Sequence, residues 1–370
     1  MKQSISFSEL EPVKQAKHRR RLIDLTLELT ARCNNKCRHC YNNLPEDDSE
    51  AARNELSTEQ IKAIADQAFE MGALRMLLTG GEVLLRQDFS DIYTYLKQKG
   101  FVVSVFTNAS LISQDHINLF KQYPPASLEI TVYGTSDREY AKITGTRNFA
   151  GFKSGIGMLA SASIPFTLKA MVLKSNLFFL DNITRFCRNI SWREFRYDPF
   201  LTLRTDRNGK KNKKIIQERL SPHEIAALEK HDPARLEAVK KMEANAKLNS
   251  GAATDSPEKL FRCNAGKFSC FISYDGFFRL CRPLVNKKCI YDLKQGTLKH
   301  AWETFAPDII EFKSFEKSYH ENCGTCMIRN LCMWCPASAD LETGQLDGYV
   351  KYFCEVAKKR HAICLYKIQK

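Results

Sequence analysis

Cys33, Cys37 and Cys40 stand at spacings of four and three in the run Cys33-Asn34-Asn35-Lys36-Cys37-Arg38-His39-Cys40. Three thiolates in one loop can converge on one metal centre, but a closed structural zinc site takes four ligands. A cubane held by three thiolates keeps one iron open to an outside ligand, whereas a zinc loop with a remote fourth ligand would use the same spacing. A second group reads Cys323-x2-Cys326-x5-Cys332-x2-Cys335, followed by Cys354 and preceded by Cys263, Cys270, Cys281 and Cys289. Cys187 and Cys364 complete the fourteen. The first ten residues carry no apolar run, and nothing approaches the ~20 apolar residues of a membrane span. Thiols without an export signal imply a reducing cytoplasm, where cysteine serves metal more readily than disulfides.

The elements that must position these residues follow a repeating pattern. Ile23, Leu25, Leu27 and Leu29 alternate with polar residues, a period-2 strand ending just before the first cysteines. Ser57-Thr58-Glu59-Gln60 is a capping box, and Ile61, Ile64, Ala65, Ala68 and Met71 continue at helical spacing. Further strands are expected at Leu74–Leu78, Phe101–Phe106, Leu128–Tyr133, Phe166–Leu173 and Phe195–Tyr197. Helical stretches separate them, near 89–100, from Ser113, near 149–162 and near 178–188. The third strand is almost continuously apolar, which predicts cover on both faces.

Six strands alternating with helices predict a parallel sheet in an α/β fold, a partial (β/α)6 TIM barrel, with an open doubly wound sheet as the alternative. In either arrangement Cys33–Cys40, Thr79-Gly80-Gly81-Glu82, Thr107-Asn108 and Tyr133-Gly134 all fall at carboxyl ends of strands, the face where such barrels build active sites. Residues 1–21 read as a basic arm and 22–203 as the barrel. Residues 204–260 read as a charged helical bridge with a linker near Ser250-Gly251. From Phe261 the chain is punctuated by cysteine and glycine, and a last helix is expected over 350–367.

The CxxxCxxC loop, followed one βα unit later by Gly80-Gly81-Glu82, resembles the radical S-adenosylmethionine (SAM) superfamily, with Val83 where that family usually has proline. The resemblance implies a [4Fe–4S] cluster on Cys33, Cys37 and Cys40, and a SAM site using His39 at the adenine and Gly80, Gly81 and Glu82 at the amino group. Asn108 and Lys169 are candidate SAM or substrate contacts, with a strand-end cap and a solvated lysine as the plain alternatives. Cys263, Gly276, Cys281 and the later cysteines resemble the SPASM extension, which binds two auxiliary [4Fe–4S] clusters. One residue is missing between Cys332 and Cys335 relative to that pattern. The implied ligand sets are Cys263, Cys281 and Cys335, with Cys270 or an open iron as the fourth position, and Cys323, Cys326, Cys332 and Cys354. On this reading 261–356 is the SPASM domain, 357–370 is the end of the last helix, and the cofactors are three [4Fe–4S] clusters and SAM. A zinc ribbon is the alternative for the second group, but it leaves Cys263, Cys281 and Cys354 without a role.

The family implies reductive cleavage of SAM to a 5′-deoxyadenosyl radical and, for SPASM members, modification of a precursor peptide or protein by a crosslink, epimerisation or another oxidation. Implied partners are a flavodoxin- or ferredoxin-type electron donor and, since the first strand starts too early to leave room for a leader-binding domain, a separate leader-recognition protein. A sulfatase-maturase-like or cofactor-biosynthetic enzyme is the alternative. Sulfatase maturases place an aspartate after the cysteine matched by Cys281; here Arg282 follows, which disfavours that activity. The formal charge of +14 also admits an RNA-modifying enzyme, but aromatic residues are not interleaved with the basic runs as stacking on nucleic acid requires. A non-enzymatic zinc adaptor is the remaining class.

Overall fold

The computed structural model describes residues 20–191, 195–249 and 256–365. The start of the basic arm and the Ser250-Gly251 linker lie outside them. Six strands run parallel in one sheet: β1 Asp24–Thr30, β2 Arg75–Gly80, β3 Val102–Thr107, β4 Ser127–Val132, β5 Thr167–Met171 and β6 Arg196–Asp198. Helices Thr58–Glu70, Phe89–Gln98, Gln114–Gln122, Phe149–Ser161 and Leu180–Ile190 cross between them. This is the partial barrel expected from the alternating pattern. The Ser57 capping box forms as the sequence predicts: Gln60 N donates to Ser57 Oγ (3.2 Å) and Ser57 N to Gln60 Oε1 (2.9 Å).

Three more strands extend the sheet beyond β1. Strand β7, Ser269–Ile272, pairs parallel with β1, placing Leu25 opposite Cys270 and Leu27 opposite Ile272. Strands β8, Phe277–Arg279, and β9, Tyr291–Asp292, continue antiparallel, so the order is β9-β8-β7-β1-β2-β3-β4-β5-β6. The sheet and the main apolar core therefore run on past residue 261. Nothing in the local pattern announces this pairing, because β7 is four residues long and its partner is almost 250 positions away.

The expectation for β3 needs correction. Val103 and Val105 are buried, but Val102 is 38% exposed and Ser104 and Phe106 are half-buried. The inner face of β3 looks into a lumen cavity of about 290 Å³, shared with Ser127 and Glu129 of β4. Six strands do not close the barrel, so the doubly covered environment of a closed parallel sheet is absent at this face.

The bridge is helical as expected and holds Gly209–Glu218, Pro222–His231 and Pro233–Asn249 among its described residues. Asp232 divides the last two, its Oδ1 accepting from Ala234 N at 3.1 Å, with Pro233 at the position where its missing N–H costs nothing. The final helix, Lys351–Leu365, is fastened to the bridge by Arg360, whose Nε lies 2.8 Å from Glu229 Oε2 with both groups buried. Arg20, at the end of the basic arm, donates from Nε to Gly266 O (2.9 Å) and stacks on Trp302 at 4.6 Å.

Candidate functional site

The first cysteine loop leaves β1 and is held at every turn. A two-residue parallel bridge, Arg32–Cys33 against Leu44–Pro45, closes its base. Lys36 N and Arg38 N donate to Thr144 O (2.7 Å) and Ile143 O (3.2 Å) at the end of helix Asp137–Thr144, an element the sequence pattern did not announce. The buried Asn35 donates from Nδ2 to Tyr140 Oη (3.2 Å) and accepts from Thr146 Oγ1 (2.7 Å). Asn108, at the end of β3, donates from Nδ2 to Asn34 Oδ1 at 2.8 Å. The loop's far side is gripped by Arg204, one of the most deeply buried side chains. Its Nη1 donates to Cys40 O (3.1 Å) and Asn43 Oδ1 (2.9 Å), and its Nη2 to Asn43 O (3.2 Å). No motif in the sequence marks this arginine.

The structure brings Cys33, Cys37, Cys40, His39, Gly80, Gly81, Asn108 and Lys169 around one cavity of about 290 Å³ at the carboxyl ends of the strands. Burial pushes the thiols of Cys33, Cys37 and Cys40 upward, and the charge of neighbouring cysteines raises Cys33 and Cys37 further. Bare, these thiols resist ionisation together; a cationic cluster core compensates that repulsion, so the donor set fits a metal cluster with one open position. Among the described residues no three His, Cys, Asp or Glu side chains are arranged to hold a single ion.

His39 is neutral near pH 7, its pKa pushed down to about 4 by burial. Its Nδ1 is buried without a partner among the described residues, and its ring lies 5.7 Å from that of Tyr133. Lys169 is not a solvated lysine: it pairs with Glu129 and lies 4.2 Å over the Phe106 ring. Glu82 does not line the cavity. It is fully buried behind it, with Oε1 accepting from Thr107 Oγ1 (2.7 Å) and Leu84 N (3.2 Å) and Oε2 from Asn108 N (2.7 Å). In this arrangement the carboxylate ties the ends of β2 and β3 together.

Gly80 and Gly81 allow an approach of backbone to backbone. Gly81 N donates to Thr30 O (2.8 Å) and Glu82 N to Arg32 O (2.9 Å), and a Cβ at Gly81 would overlap the carbonyls of Ala31 and Arg32. Gly81→Ala is therefore expected to push the cysteine loop from its seat, costing about 1–3 kcal/mol as overpacking does. The check is bound iron per chain after anaerobic reconstitution, which should fall; iron content and melting midpoint both equal to the parent's would contradict this account.

The second cysteine group occupies two places in the structure. Cys281 and Cys335 are half-buried and Cys263 is exposed at the surface; desolvation, and then the charge of Cys335, raise the Cys263 and Cys281 thiols. The missing residue before Cys335 is absorbed locally: Cys335 caps helix Pro336–Thr343, its Sγ accepting from Ser338 N at 3.4 Å. Cys323, Cys326, Cys332 and Cys354 ring a separate cavity of about 50 Å³ with Trp334 and Tyr349. Cys270, the alternative fourth ligand beside Cys263, sits in β7 opposite Leu25, buried in the main core against which Cys281 and Cys335 also pack. Cys187 and Cys289 are likewise core residues.

No described helix is long and apolar enough to cross a membrane. Residues 27–177 match the Radical SAM superfamily. The chain is 25% identical, over 84% of its length and 86% of the relative's, to the AdoMet-dependent heme synthase of Nitratidesulfovibrio vulgaris (strain Hildenborough). It is 29% identical to the antilisterial bacteriocin subtilosin biosynthesis protein AlbA of Bacillus subtilis (strain 168), over 47% of this chain and 38% of that one. Its fold is similar to that of Streptococcus suis SuiB bound to precursor peptide SuiA (TM-score 0.65, 14% identity, 96% of this chain and 82% of that one). The cysteine loop, the Gly-Gly strand end and most of the residues lining the cavity lie within the stretch that matches the Radical SAM superfamily, while Asp198, Phe200, Leu201, Thr202 and Arg282 of the wall lie outside it.

Proposed function

We propose that this chain is a SPASM-type radical SAM enzyme that modifies a ribosomally made peptide. The observation that carries the reading is the junction of two cysteine groups: Arg282, next to Cys281, reaches the cavity shared by Cys33, Cys37 and Cys40. A [4Fe–4S] cluster and SAM, when bound, would supply the reducing and radical chemistry needed to remove hydrogen from substrate. The chain's own residues position and shield. Cys33, Cys37 and Cys40 hold the cluster, Gly80 and Gly81 open the strand end, and neutral His39 presents an uncharged face to the adenine. Cys263, Cys281 and Cys335 would hold one auxiliary cluster, and Cys323, Cys326, Cys332 and Cys354 the other. A flavodoxin or ferredoxin supplies the electron. The similarity to SuiB and AlbA supports the peptide.

A second reading, a cofactor-biosynthetic enzyme acting on a tetrapyrrole, is favoured by the similarity to a heme synthase over most of the chain. Co-expression with candidate precursor peptides separates the two: a mass or stereochemical change in a peptide supports the first. Conversion of a heme precursor with every peptide unchanged supports the second.

The three-cluster count is tested independently of substrate. The reconstituted chain should bind about twelve irons, and Cys326→Ala about four fewer. A parent total near four removes both auxiliary clusters.

A further inference from the structure

We propose that Arg282 forms a carboxylate-binding subsite in the reaction cavity, which selects a substrate bearing an anionic group beside the reacting carbon. Its side chain is fixed and only partly used. Nη2 donates to Thr79 Oγ1 at 3.2 Å, and the guanidinium carbon stands 5.1 Å over the Tyr41 ring and 5.7 Å over Phe271. Nε is buried without a hydrogen-bond partner among the described residues. A guanidinium offers five N–H donors in a planar fork that matches a carboxylate bidentately, and stacking on an aromatic face holds that fork in place before ligand arrives.

The charges around it are unbalanced. Among the described residues Arg282 makes no ion pair, whereas Lys169, the other cation lining the cavity, is matched by Glu129. The carboxylate nearest in effect to Arg282 is Glu28, which Arg279 shares. Glu28 is already engaged, accepting from Asn42 Nδ2 at 2.6 Å and from Tyr274 N at 3.5 Å. Asp198 also lines the cavity, but its Oδ1 accepts from Phe200 N at 2.9 Å. Arg282 thus brings to the wall a cation with no ion-pair partner among the described residues and an Nε donor left unused, in a cavity partly screened from water. A carboxylate satisfies both.

The guanidinium comes from outside residues 27–177, the stretch of the superfamily match, and from the position directly after Cys281. It therefore stands between the loop thiols and the Cys263, Cys281 and Cys335 group, where a substrate would lie. Assigning the carboxylate to an acidic side chain or C-terminus rests on the peptide reading above; the subsite itself does not.

The test uses the reconstituted holoenzyme with SAM and three probes of unequal charge and kind: N-acetylglutamate α-amide, N-acetylglutamine α-amide and glutarate. Binding is followed by equilibrium dialysis in the parent, Arg282→Gln and Arg282→Lys, each with iron content verified. The parent should prefer the glutamate probe to its amide by about tenfold or more, as a charge-assisted pair allows. Arg282→Gln should erase that preference, and Arg282→Lys should retain part of it, which a loss of folding would not. Equal preference in parent and Arg282→Gln overturns the proposal. So does a tenfold loss of SAM affinity in Arg282→Gln, which would assign the guanidinium to SAM's own carboxylate. Arg282-dependent binding of glutarate without preference for the glutamate probe supports the anion subsite while counting against the peptide.

Discussion

Cys33→Ala is expected to reduce 5′-deoxyadenosine formation to the background of a protein-free reaction and to lower bound iron by about four per chain. The thiol is buried at the cavity wall, and Asn35 N donates to its sulfur at 3.4 Å, with Asn108 Nδ2 near it. The loop offers no spare donor: Cys37 and Cys40 are the other two, and the remaining cysteines lie in separate groups or in the core. Two thiolates with two open irons do not hold a cubane against oxygen or chelator, so the loss should be complete rather than graded. Iron counting on the same sample distinguishes this from misfolding, because the auxiliary sites should still fill, leaving about eight irons. A variant with full iron and persisting SAM cleavage would remove Cys33 from the cluster altogether.

Arg204→Met should cost about 3 kcal/mol of stability and also weaken cluster retention, although the residue touches no proposed ligand's sulfur. It is buried and closes three hydrogen bonds onto the far side of the cysteine loop, while its Nε and Nη2 reach Asp206, the latter at 2.6 Å. Methionine fills most of the space but leaves the carbonyls of Cys40 and Asn43 without their donor. Burial pushes the Cys40 thiol up, and the Asn42 and Asn43 amides and then the charge of Arg204 draw it back. Removing that cation should therefore move the reduction potential of the loop cluster to more negative values, a shift that mere loosening of the fold would not produce. Arg204→Lys keeps the charge and loses the fork, so it should restore the potential more fully than the stability. Chelator-driven iron loss and EPR-monitored titration read the two effects separately. An unchanged potential in Arg204→Met would reduce the residue to a structural clamp.

Much of the architecture was legible in the sequence because its causes are local. The period-2 alternation of Leu25, Leu27 and Leu29 and the Ser57 capping box depend on residues within a few positions of one another. The cysteine spacing is likewise local chemistry: donors three and four residues apart in one loop must share a centre. Where local reasoning failed, the deciding contact was distant. The apolar run of β3 suggested two covered faces, but whether a lumen closes depends on the number of strands that assemble. Cys270 stands seven residues from Cys263, and pairing of β7 with β1, across almost 250 positions, places it in the main core.

By itself, then, the sequence determined the cysteine spacing and the strand ends beside which the first loop falls, since residue type and short spacing decide what a loop can bind. Only the tertiary structure decided which side chains meet around those donors. Arg204 reaches the cysteine loop across 164 positions and Arg282 reaches Thr79 across 203. No periodicity records such a contact, because a single long side chain can serve a site from any element that packing brings within its reach. The physical cause is that burial rewards apolar area without regard to chain separation, so the identity of the cavity's cationic wall is settled only when the sheet and the later residues share one core.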